Sequence, residues 1–219
     1  DIGLKTKHVV FHPADKAGQD LIKRVLEVSK MPQFSGKIIF IENYDMTLGA
    51  KLVQGVDVWL NTPTRPLEAS GTSGEKAVMN GVVNFSVLDG WWAEGYKPDA
   101  GWALQEERTY DNQQFQDELD SENIYNIFVE EIVPNFYNRN EKGIPEKWVA
   151  SIKKTIAGIA PEFTMKRMID DYYKQFYNKL IGRSSMMFAK DYENIRLLSS
   201  WKRKVNRGWD SIEVVSDNV

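Results

Sequence analysis

One glycine-punctuated stretch, Glu68-Ala-Ser-Gly-Thr-Ser-Gly-Glu-Lys-Ala-Val-Met-Asn-Gly81, most constrains what this chain can fold into. It reads as a tight turn that opens a short helix, which delivers the chain to an apolar strand, Val82 to Leu88. Thr72-Ser-Gly-Glu75 has the form of a capping box, so the helix is expected to begin near Ser73. The free N–H groups of a first helical turn, with the helix dipole, stabilise an anion, most simply a phosphate. Gly71 and Gly74 let the backbone approach such a group closely. Lys76 emerges in the same turn, and a desolvated lysine beside a phosphate site is what a pyridoxal phosphate Schiff base requires. A solvated lysine on an ordinary capped helix fits the same residues.

The surrounding pattern places this turn in a sheet. Leu21, Ile22, Val25, Leu26 and Val28 form a helical stripe from about Ala17 to Ser29, ended by Met31-Pro32. Lys37-Ile-Ile-Phe-Ile41 reads as a buried strand, Met46 to Gln54 as a helix stopped by Gly55, and Val56-Asp-Val-Trp-Leu60 as the next strand. With Val9-Val-Phe11 as the end of a first strand, short strands alternate with helices. That order predicts an α/β fold, a partial doubly wound Rossmann-like sheet with right-handed crossovers over residues 1–100. Ligands of such sheets sit beyond the carboxyl ends of the strands, where Tyr44, the 61–73 segment and Asp89–Trp92 fall. Trp91 and Trp92 are expected in a loop there, either touching the ligand or packing as anchors.

After Tyr96 the texture changes. Lys97 to Thr109 reads as a polar loop, and a helical segment fills the rest of 101–209. Its stripes are Ile124, Ile127, Phe128, Ile132 and Phe136; then Trp148, Ile152, Ile156 and Ile159; then Met165, Met168, Ile169, Tyr172, Phe176 and Leu180. A last helix near Asp191–Asn206 carries Ile195, Leu198 and Trp201. Methionine and aromatic stripes of this kind are read as core. Residues 210–219 read as the start of a further element, Ser211-Ile-Glu-Val-Val215 being a beginning strand.

Composition excludes several classes. The 219 residues hold no cysteine, so disulfides and thiolate metal sites are excluded, and with only His8 and His12 no histidine metal site is expected. His12 itself, before a proline, reads as a loop residue or a ligand contact. No apolar run approaches the roughly 18 residues that span a membrane, and no signal peptide opens the chain, so a cytoplasmic protein is expected. The net charge of −3 is uneven: residues 1–150 carry 15 − 23 = −8 and residues 151–209 carry 13 − 5 = +8. A basic segment suits nucleic acid, but its interleaving with an apolar stripe points instead to a helical face complementing the acidic part of the same molecule.

Arg65-Pro-Leu-Glu-Ala-Ser-Gly-Thr-Ser-Gly-Glu-Lys76, followed by Asn80-Gly81 and Leu88-Asp-Gly-Trp-Trp-Ala-Glu-Gly-Tyr96, closely resembles the α-glucan (glycogen/starch) phosphorylase family. So do His12-Pro-Ala-Asp15, Phe40-Ile-Glu-Asn-Tyr-Asp45 and Gln54-Gly-Val-Asp-Val-Trp-Leu-Asn61. The resemblance runs from about Val9 to Leu180. It implies the carboxyl-terminal domain of a GT-B glycosyltransferase that performs retaining phosphorolysis of α-1,4-glucan with inorganic phosphate, releasing glucose 1-phosphate, with pyridoxal phosphate as proton shuttle. It also implies an amino-terminal domain of the same chain, absent from these residues, that forms the other cleft wall.

By the same resemblance Lys76 holds the cofactor and Gly71, Thr72 and Ser73 cradle its phosphate. Tyr44 contacts the cofactor, and Glu68, Ser70 and Gly71 bind the glucosyl hydroxyls; Lys76 and Glu68 are the residues nearest the catalysis. Two departures stand out: the family usually has Gly-Lys-Ala at Val9–Phe11 and Met at Glu75. A nucleotide-sugar glucan synthase of the same architecture resembles E-x7-E, whose second Glu stands where this chain has Lys76. A non-catalytic glucan-binding fragment is the other alternative. An incomplete sheet leaves an exposed edge strand, which favours a homo-oligomer.

Overall fold

The structure, a computed structural model, describes residues 16–104 and 112–213. Val9–Phe11, His12 and the end of the Ser211–Val215 strand lie outside the described residues. The chain divides into two compact units, Asp1–Thr164 and Met165–Val219.

The first unit is built on three parallel strands in the order β1 (Val58–Asn61), β2 (Val83–Val87), β3 (Gly101–Leu104). Helix α1 (Lys16–Lys30) and helix α2 (Met46–Gly55) precede the sheet, and Asp45 opens α2 by accepting the Leu48 N–H at 2.7 Å. Helix α3 (Thr72–Met79) joins β1 to β2, and the short α4 (Trp91–Gly95) joins β2 to β3. Helix α5 (Gln113–Ile127) passes through a π turn, Phe128–Ile132, into α6 (Val133–Tyr137). Helix α7 (Glu146–Lys154) continues through a second π turn, Thr155–Ile159, and a 3₁₀ turn, Ala160–Phe163.

The strand period of two divides the sheet's side chains between two cores. Val83, Phe85 and Val87 of β2 and Trp102 and Leu104 of β3 pack with Phe128, Ile132 and Trp148, while Val58 and Leu60 of β1 close the edge. Ala103 turns the other way, toward Val78, Trp91, Trp92 and Ile159. Asn84 faces that side too, beneath Gly74 of α3 and Trp91 of α4; it is completely buried, and among the described residues neither polar atom of its carboxamide has a hydrogen-bond partner.

Four expectations are corrected. Lys37–Ile41 is not a strand: the run is irregular, and Ile39 and Ile41 stand half-exposed. A continuous apolar strand needs neighbours on both sides, and the described sheet ends at β1 without including it. Conversely, a strand lies inside the segment read as a polar loop. β3 was hidden by its brevity and by Gly101, where a Cβ would come within 2.5 Å of the Asn84 carbonyl oxygen; only glycine allows that approach.

Trp91 and Trp92 lie in a helix, both buried, not in an open loop. Trp91 meets Phe163 edge-on at 5.1 Å between ring centres, and the Trp92 indole donates to the Trp102 carbonyl at 3.0 Å. Finally, the methionine and aromatic stripe of the second unit is not core. That unit comprises α8 (Met165–Tyr172), a π turn at Tyr173–Tyr177 and α9 (Asn178–Gly208), broken at Ala189–Tyr192, where Lys190, Asp191 and Tyr192 take positive φ. Not one described residue from 165 to 213 is buried, because a few helices without a sheet present more apolar surface than they can cover.

Among the described residues no helix is long and apolar enough to cross a membrane. Trp92 is the best single test of the packing. Trp92→Ala is expected to cost about 3–5 kcal/mol of unfolding free energy by urea titration. A loss below about 1 kcal/mol would contradict the complete burial of the Trp92 side chain.

Candidate functional site

Three backbone segments meet at the carboxyl ends of β1 and β2. The chain leaves β1 at Asn61, turns back through Glu68–Gly71 and enters α3; the turn after β2, Leu88–Gly90, lies alongside. Asp89 joins the two: its Oδ2 accepts the Glu68 N–H at 2.9 Å while its Oδ1 accepts the Gly90 N–H at 2.9 Å. The Trp91 N–H donates to the Ser70 carbonyl at 2.8 Å. Gly90 makes this contact sterically feasible, since a Cβ there would sit 2.5 Å from the Ser70 oxygen and its φ is +53°.

The Glu68 side chain is half-buried beside Gly71. Its Oε2 accepts the Asn61 Nδ2–H at 2.7 Å, and the same nitrogen approaches Ser86 Oγ at 3.4 Å. Gly71, at φ +84°, leaves its Cβ position 3.1 Å from Glu68 Oε1 and 3.2 Å from Trp91 Cδ1. A side chain at residue 71 would press on both.

Helix α3 begins at Thr72, not through the expected box. Gly71 is the cap, in the left-handed region, no side chain among the described residues caps the helix, and the Gly71 carbonyl accepts the Gly74 N–H at 3.1 Å. Thr72 is therefore inside the first turn, and its hydroxyl is not the N-terminal acceptor. Gly74, Ala77 and Val78 turn inward, which leaves Thr72, Ser73 and Lys76 exposed on one face at helical spacing. Tyr44 lies before α2 with its hydroxyl over Gly49, 2.5 Å from where a Cβ would be.

The structure thus brings Glu68, Ser70, Gly71, Thr72, Ser73 and Lys76 into one turn, while Tyr44 is carried by a different segment. Sequence reasoning passed over Asn61 and Asp89, although both sit in quoted stretches; their polar type at the ends of apolar strands was the available signal. A cavity of 420 Å³ lies nearby, lined by Thr62, Arg65, Val87, Leu104, Gln113 and Asp117 among others, and none of the expected site residues lines it. Among the described residues no cluster of acidic or histidine side chains could hold a metal.

The residues fit a phosphate-bearing aldehyde cofactor on chemical grounds. A left-handed glycine and an open helix start supply N–H donors, Thr72 and Ser73 supply hydroxyls, and Lys76 supplies an amine on the same face. Glu75 works against it. Its pKa is raised chiefly by desolvation, opposed by Lys76 and reinforced by Glu94. A carboxyl whose folded pKa is raised destabilises the fold once ionised. The cost is absent below the unfolded glutamate range and is fully present above the folded pKa. Glu75→Gln is therefore expected to raise the melting temperature at pH 7 and to match the parent near pH 3. An unchanged or lowered melting temperature at pH 7 would mean that Lys76 outweighs the desolvation.

Residues 13–211 match the family described as carbohydrate phosphorylase. The chain is 41% identical over 203 residues to maltodextrin phosphorylase of Thermococcus litoralis, covering 93% of this chain and 24% of that protein. It is 47% identical over 170 residues to glycogen phosphorylase of Aquifex aeolicus, covering 78% of this chain and 24% of that protein. The glycogen phosphorylase of Mycobacterium bovis is 36% identical over 203 residues, with 93% and 24% covered. The chain therefore spans about a quarter of the length of the curated relatives it matches. With the fold, the Glu68–Lys76 turn and a match over most of its length in agreement, the chain belongs to the carbohydrate phosphorylase family.

Proposed function

We propose that this chain is a carboxyl-terminal catalytic part of an α-glucan phosphorylase, a glycosyltransferase that cleaves α-1,4-glucan with inorganic phosphate and retains configuration in glucose 1-phosphate. The observation that carries the reading is the single turn in which Glu68, Gly71 and Lys76 are assembled and locked to Asp89–Trp91. The named relatives act as maltodextrin and glycogen phosphorylases, which supports the substrate class.

In this reading Glu68 accepts hydrogen bonds from glucosyl hydroxyls, and Ser70 and Gly71 complete the ring of contacts. Thr72, Ser73 and the α3 start receive the phosphate of pyridoxal phosphate, Lys76 is its covalent attachment point, and Tyr44 approaches it from the segment before α2. Bound there, the cofactor would supply a phosphate group able to exchange a proton with the substrate phosphate. The residues of this chain bind and orient the reactants, and positioning and preorganised charge are where much of the rate enhancement originates.

The wider organisation is part of the same proposal. Residues 1–100 form a GT-B cofactor and substrate domain, 101–209 a helical segment and 210–219 the start of a further element. An amino-terminal domain closes the cleft, the compartment is the cytoplasm, and the assembly is a homo-oligomer.

Reduction of the full-length protein with borohydride, followed by digestion, is expected to label Lys76. Label on another lysine, or full activity of Lys76→Ala without cofactor, would sink the assignment. The isolated 219 residues are expected to release no glucose 1-phosphate from glycogen and phosphate. Turnover by them would overturn the need for a second cleft wall.

A further inference from the structure

We propose that Asn61 is the positioning residue for Glu68. It commits one carboxylate oxygen to the protein and leaves the other to the sugar; the inference rests on reading Glu68 as the acceptor of glucosyl hydroxyls.

Asn61 is the last residue of β1, on the sheet face opposite the Val58 and Leu60 side chains, and in register with Ser86 of β2. Its backbone is held by the parallel ladder, so its amide projects from a rigid element. The atom facing Glu68 must be the donor nitrogen, because an ionised carboxylate only accepts. At 2.7 Å this is a short, charge-assisted bond, whereas the 3.4 Å approach to Ser86 Oγ is long and weak. Ser86 thus steers the amide, and Glu68 holds it.

Glu68 itself lies in a loop with no ladder of its own. It is fixed at two points, its backbone N–H by Asp89 and its Oε2 by Asn61. The remaining oxygen, Oε1, lies toward Gly71 on the side where a Cβ is missing. Two consequences follow from the chemistry. The carboxylate cannot rotate to exchange its oxygens without breaking the Asn61 bond, so its geometry toward a hydroxyl is preset. An aspartate at 61 would be nearly isosteric yet would face Glu68 with like charge in place of a donor.

The test uses the full-length protein and four variants, Asn61→Ala, Asn61→Asp, Glu68→Ala and the Asn61→Ala/Glu68→Ala double. The probe is glucose, with its dissociation constant measured by titration calorimetry beside melting temperature and bound cofactor content. Asn61→Ala is expected to weaken glucose about tenfold with cofactor content unchanged, a size typical of losing one charge-assisted bond. Asn61→Asp should weaken it more. In the Glu68→Ala background the Asn61→Ala change should add less than about twofold, since distant action through Glu68 is then removed.

Wild-type glucose affinity in Asn61→Asp, or a full tenfold loss on adding Asn61→Ala to Glu68→Ala, overturns the positioning role while Glu68 stands. Unchanged affinity in Glu68→Ala alone overturns the reading of Glu68, and the proposal with it. If Asn61→Ala does not fold, the near-isosteric Asn61→Asp decides the matter by itself.

Discussion

The structure depends on one reciprocal fastening, between the Glu68–Gly71 loop and the Asp89–Trp91 turn. Neither segment is part of a ladder, and each would carry unpaired backbone groups if it stood alone. Asp89 satisfies Glu68 and Gly90, and Ser70 satisfies Trp91, so the two loops complete each other. The fastening then sets the entry of α3, which sets the face on which Thr72, Ser73 and Lys76 lie. It also seats Trp91 and Trp92 in the core between α3, α4 and β3. The site geometry and the packing of that half of the sheet are therefore one construction, not a catalytic loop laid over an indifferent scaffold.

The anchors farther away follow the same logic. Lys97 donates to the Gly158 carbonyl at 2.5 Å and pairs with Glu162 at 2.6 Å, and Thr155 Oγ1 donates to the Ala100 carbonyl at 2.6 Å. Both acceptors are carbonyls at irregular places, one in a π turn and one before β3. A π turn frees a carbonyl from the regular helical ladder, and here a lysine side chain takes it up. On the opposite face, the Trp102 indole reaches Glu131 at 2.8 Å from within the first π turn. Helical irregularities are thus the points at which α5 and α7 are tied to the short third strand.

How much of this was legible in the sequence depended on the period of each segment. The helical stripes at Ile124–Phe136 and Trp148–Ile159 were readable because their repeat is long. So were β1 and β2, where Val56–Leu60 and Val82–Leu88 differ from the observed strands by only a residue or two at either end. β3 was not, since four residues beginning with glycine carry too little pattern. Lys37–Ile41 has the right composition for a strand, but composition does not supply a neighbour. The site was legible as a set of residue types, and the S/T-x-x-E pattern located the helix while misassigning its cap by one residue. Asn61 and Asp89 showed only as polar residues at the ends of apolar strands, because their importance lies in contacts spanning 7 and 21 residues, which no local spacing encodes.

The buried Asn84 carboxamide has a consequence for evolvability. An amide sealed from solvent without a partner costs the fold on the order of 1–3 kcal/mol in lost hydration. An apolar side chain that fits the same space would relieve that cost, so the native sequence stands below the stability this backbone can support. Space there is short, since a Cβ on Gly74 would sit 2.9 Å from both the Asn84 Oδ1 and the Trp91 indole nitrogen, so the gain is open only to a residue that keeps the volume of asparagine. The position is a reserve of stability beside the site, reachable by a single substitution and limited by shape rather than by polarity.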